Sequence, residues 1–60
     1  MSRPDWREET RRVDAVADAL LAGDEVAAAQ AVADLDEVTR ARVTGRARLI
    51  VAWHRFAGED

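Results

Sequence analysis

No cysteine occurs anywhere in this 60-residue chain, which removes the device that most often stabilises a domain so short. A domain of this size buries only about 60% of the surface that its unfolded chain exposes. Short chains make up the deficit with disulfides, a metal or a second subunit. With no thiol to form a disulfide or a thiolate site, the sequence points to a second subunit. The apolar inventory sharpens the problem. Thirteen of the 29 apolar residues are Ala, and the larger core formers are seven Val, four Leu, one Ile, one Phe and two Trp. The expectation is a single small domain over residues 1–60.

The periodicity predicts three helices, at about 4–22, 24–34 and 36–57, with a frayed tail at 58–60. Ser2-Arg3-Pro4-Asp5 opens the first, since Pro suits a first turn and Asp complements the N-terminal dipole. At 100° per residue, Trp6, Val13, Val16, Ala17, Leu20 and Leu21 share one arc, while Arg7, Glu8, Arg11, Asp14 and Asp18 fall opposite. Gly23 suits the left-handed residue that ends a helix. Asp24 caps an Ala-rich second helix, so that Ala-Gly-Asp-Glu reads as a tight helical hairpin. Asp34 or Asp36 caps the third, and Asp34 with Glu37 has capping-box spacing; with no Gly or Pro between the second and third stretches, one continuous helix over both is the alternative. The expected fold is all-α: a helical hairpin plus a long third helix, assembled as a homo-oligomeric bundle with a dimer favoured.

The third helix carries two apolar stripes. Val38, Ala41, Gly45, Leu49, Ala52 and Phe56 repeat at alternating spacings of three and four, interrupted by Arg42. This stripe is expected to pack on helices one and two, with Gly45 at a close crossing. Val43, Ala47, Ile50, Val51 and His54 lie roughly opposite. A small three-helix unit has one interior, so the second stripe is expected to remain exposed as an interface. Trp53 and Phe56 fall where the third helix outruns its hairpin, and aromatic residues favour interface centres. The sequence therefore places a protein interface at Val43, Ala47, Ile50, Val51, Trp53, His54 and Phe56. His54 within it would make assembly weaker near pH 5 than at pH 8.

Charge is segregated. Residues 13–37 hold seven acids and no base; residues 38–57 hold five Arg and no acid, within a net charge of −3. One consequence is complementarity between acidic and basic segments. Another is phosphate contact through Arg40, Arg42, Arg46 and Arg48, although nucleic-acid binding favours a basic domain. Nucleophilic chemistry is poorly supplied: there is no Cys or Lys, and neither Thr39 nor Thr44 has helical spacing to His54. No cofactor or metal site is expected. The longest apolar run, Leu49–Trp53, is far shorter than the roughly 20 residues of a membrane span. The N-terminal residues have no apolar signal core, so the expected location is the cytoplasm.

The expected function is a non-enzymatic helical protein–protein interaction module, acting by self-association or by docking on a larger protein as adaptor, inhibitor or assembly protein. Two alternatives are a small DNA-binding regulator of phage or plasmid type and an antitoxin-like inhibitor acting through the acidic segment.

Overall fold

A computed structural model describes residues 5–58. It contains α1 (Trp6–Leu21), α2 (Glu25–Gln30) and α3 (Glu37–Gly58), with no strand among the described residues. The opening at Ser2–Pro4 and tail residues 59–60 lie outside them, whereas Gly58 belongs to α3 rather than to a frayed end.

Local chemistry sets the helix ends. The Asp5 carboxylate accepts from the backbone N–H groups of Arg7 and Glu8 at 3.0 and 3.4 Å, capping α1. At the other end the N–H of Asp24 reaches the carbonyl of Ala19 and that of Gly23 the carbonyl of Leu20. These two bonds, with Gly23 at φ +75°, form a Schellman closure that only a residue free of Cβ strain enters readily. Asp24 then caps α2 through the Ala27 N–H at 3.0 Å.

The second helix stops earlier than expected, at Gln30 rather than Asp34. Residues 31–35 continue as i→i+3 turns, including Leu35 N–H to the Val32 carbonyl. A side chain from α1 holds this stretch. Arg12 Nη1 donates to the Ala31 carbonyl at 2.9 Å, taking the acceptor that a continuing helix would offer to Leu35. The same guanidinium forms a bidentate pair with Asp34, one arm of which is Nη2 to Oδ2 at 2.8 Å. Asp34 therefore does not cap α3. Asp36 does, accepting from the Thr39 N–H at 3.2 Å, and the chain breaks cleanly between α2 and α3.

The Arg12 hydrogen bonds hold the Asp34 carboxyl down at about 2. Hydrogen bonding from Thr39 also lowers Asp36. A carboxylate whose folded pKa is depressed contributes stability above its unfolded value, and that contribution is lost as pH falls through the folded one. Stability should therefore decline between about pH 4 and pH 2. Asp34→Asn should flatten that decline, as thermal denaturation across the range will show.

Among the described residues, the buried core is Val and Ala: Val13, Val16 and Ala17 from α1, Ala28 and Val32 from the α2 segment, and Val43, Ala47 and Val51 from α3. Leu20 and Leu35 pack partly against it. Trp6 and Leu21, expected on the buried arc of α1, are exposed; the Arg7 guanidinium stands 5.7 Å from the Trp6 ring centroid. Among the described residues, α2 and α3 each pack on α1 and not on each other, so α1 is the central helix. α1 and α3 run in the same direction. Glu9 near the start of α1 meets Arg42 and Arg46, and Leu20 near its end shares a groove with Val51 and Ala52.

The two stripes of α3 are thus the reverse of the expectation. Val43, Ala47 and Val51 face α1 and are buried. Val38, Gly45, Leu49 and Phe56 face away from it and are exposed. Two features of the outward stripe explain the choice. Arg42 lies within its spacing and cannot be buried without a partner. Gly45, at its centre, offers no side chain to fill an interior. The Val43–Ala47–Val51 stripe has neither defect, and its small residues let the two helices approach closely. Glu9 completes the selection: its carboxylate accepts from Arg42 Nε at 2.8 Å and Arg46 Nη1 at 2.9 Å. That clamp draws both arginines to the α1 side and rotates the outward stripe into solvent.

Candidate interaction surface

The outward stripe gathers most of the large apolar surface of α3. Leu49, Trp53 and Phe56 are each 71% exposed, as is Val38 one end away; Ile50 is 36% exposed. Trp53 and Phe56 stack with ring centroids 6.0 Å apart and planes inclined by 16°. Leu49, Ile50, Trp53 and His54 line a shallow apolar hollow of about 530 Å³. The position of this surface follows from helix lengths. α1 ends beside Val51 and Ala52, so Trp53–Gly58 continues for six residues, roughly 9 Å, past its neighbour. Trp53 and Phe56 therefore do not fold back over α1.

The seven residues expected at the interface divide. Val43, Ala47 and Val51 lie in the chain's own core and are withdrawn from its surface. Ile50, Trp53, His54 and Phe56 are exposed. His54 follows Ala47 and Val51 on the α1-facing side of α3, but beyond the end of α1, so it borders the patch rather than sitting on the outward stripe. Leu49, Val38 and Gly45, whose spacing predicts packing on helices one and two, face solvent instead. The presence of Arg42 and Gly45 among their neighbours was the signal that this stripe fits an interior poorly.

The four arginines considered for nucleic acid are scattered. Arg42 and Arg46 are held by Glu9, which is largely screened from water between them. Arg40 donates to the Leu35 carbonyl at 3.2 Å. Arg48 lies on the other flank, lining the groove between α2 and α3 with Leu20 and Glu25. They form no common face. Of the acidic segment, Asp24, Asp34 and Asp36 are engaged in caps or with Arg12, while Asp14 and Asp18 are exposed on α1.

No described helix is long and apolar enough to cross a membrane. In comparisons with known proteins, the chain matches no family model, no curated protein and no solved structure. The surface is therefore read from its own geometry.

Proposed function

We propose that the chain is a non-enzymatic helical interaction module whose contact surface is the outward face of α3. The observation that carries this reading is the exposure of Leu49, Trp53 and Phe56 together on one helix face. Isolated exposed apolar residues are ordinary, but contiguous groups that include stacked aromatics mark binding sites. A core of Val and Ala alone, in so small a unit, adds a reason to bury further surface against a partner. Adaptor, inhibitor and assembly roles all use such a face. A DNA-binding role draws less support, because Glu9 already neutralises the two arginines nearest the outward stripe.

The test compares the wild-type chain with a Leu49→Asp/Trp53→Ala variant, by light scattering for self-association and by retention of proteins from source-cell extract. The variant should keep its helicity and lose whichever association the wild type makes. Identical behaviour of the two chains would overturn the reading.

A further inference from the structure

The exposed stripe of α3 changes in size along its length. Its first half presents Val38, Ala41 and Gly45; its second half presents Leu49, Trp53 and Phe56. Gly45 is an anomaly on its own terms. A Gly inside a helix costs about 1 kcal/mol relative to Ala, and the sequence expectation was that a close crossing within the chain requires it. No such crossing exists: a side chain at Gly45 would meet nothing within 4 Å. The hollow it leaves opens outward, one turn from the exposed Leu49.

The geometry points to a second copy of this chain as the occupant of this face, with the two α3 helices antiparallel and the two-fold axis passing at the level of residue 47. The inference rests on the interaction reading above and names its partner and register. In this register, residues equidistant from 47 meet along the seam: Gly45 with Leu49 of the second copy and Val38 with its Phe56, with Trp53 on one flank. Each pair sets a small side chain against a large one, so the bulky half of one helix fills the hollow half of the other. A parallel pairing would put Gly on Gly and Phe on Phe, leaving voids at one end and clashes at the other. A two-fold contact of this kind is self-complementary and closes at two subunits.

Charge follows the same register. Glu37, at the start of α3, comes within side-chain reach of Arg55 of the second copy. Arg42 is the charged residue within the seam spacing, and Glu9 draws it aside, leaving room opposite Ala52. The two Arg48 side chains approach at the rim, where they extend into water and salt screens them.

Light scattering over a concentration range tests the assembly, and a pair of variants tests the register. The wild type should reach twice its 6.6 kDa mass. Gly45→Leu sets Leu against Leu and should weaken the dimer by about tenfold or more, with helix content unchanged. Gly45→Leu combined with Leu49→Gly exchanges knob and hollow within the same composition and should restore the dimer. Cross-linking is an independent check, because the chain has no cysteine of its own. In a mixture of Val38→Cys and Phe56→Cys chains, the mixed disulfide should dominate. A wild type that stays a folded monomer at about 1 mM, or like-with-like disulfides only, would overturn the inference. If the monomer instead binds a peptide helix flanked by Glu through this face, the dimer fails and the interaction reading stands. If the Leu49→Asp/Trp53→Ala variant also behaves as wild type, both fail.

Discussion

Val43→Asp abolishes the helical fold, while Leu49→Asp leaves the monomer intact; far-ultraviolet circular dichroism at a dilution that separates any subunits should show this contrast. Val43 is 0% exposed, in the middle of the α1–α3 contact. A carboxylate there has no cation within the Val and Ala core to pair with. An unpaired buried charge costs several kcal/mol at least, or must take up a proton. At 0.05–0.15 kcal/mol per residue, a chain of this length has about 3–9 kcal/mol of total stability, so one such substitution is enough to unfold it. Leu49 faces water, and exchanges at exposed positions usually change stability by less than about 0.5 kcal/mol. The opposite result, with Leu49→Asp unfolding the chain and Val43→Asp tolerated, would restore the stripe assignment expected from sequence and remove the proposed surface.

Ala47→Leu lowers the urea midpoint by about 1 M or more, whereas Ala52→Leu leaves it nearly unchanged. Ala47 is also 0% exposed, set between Val43 and Val51 on the buried face of α3. Extra carbons there push the helices apart, at a cost of typically 1–3 kcal/mol. A urea dependence near 1 kcal/mol per molar, usual for a small domain, converts this into the stated shift. The separation also strains the Glu9 bonds to Arg42 and Arg46, which depend on the same approach. Ala52 is exposed at the rim of the groove it shares with Leu20 and Val51, where a larger residue extends into open space. Equal shifts for the two variants would mean that Ala47 is not at the crossing.

Much of the local structure was legible in the residues themselves. Asp24 as a cap, Gly23 as a left-handed terminator and a chain break within Asp34–Asp36 all follow from backbone groups that neighbouring residues must satisfy, whereas Asp5, expected in the first turn of α1, is its cap instead. These interactions span five residues or fewer, so the order of the sequence contains them. The length of α2 was not legible in the same way. Ala-rich sequence favours helix through Asp34, yet the helix ends at Gln30 and the turns that follow are held by Arg12, which lies 19 residues from the carbonyl to which it donates.

The same distinction governs the candidate site. By itself the sequence determined an all-α chain, two apolar stripes on its longest helix and an apolar inventory dominated by Ala. Which stripe turns inward was decided only in the tertiary structure. Periodicity records that two faces are apolar and says nothing of what lies opposite either one. The choice came from the fit of small side chains between α1 and α3 and from Glu9, which gathers Arg42 and Arg46 from more than 30 residues away. Those terms exist only once the helices touch, and they leave Leu49, Trp53 and Phe56 facing outward.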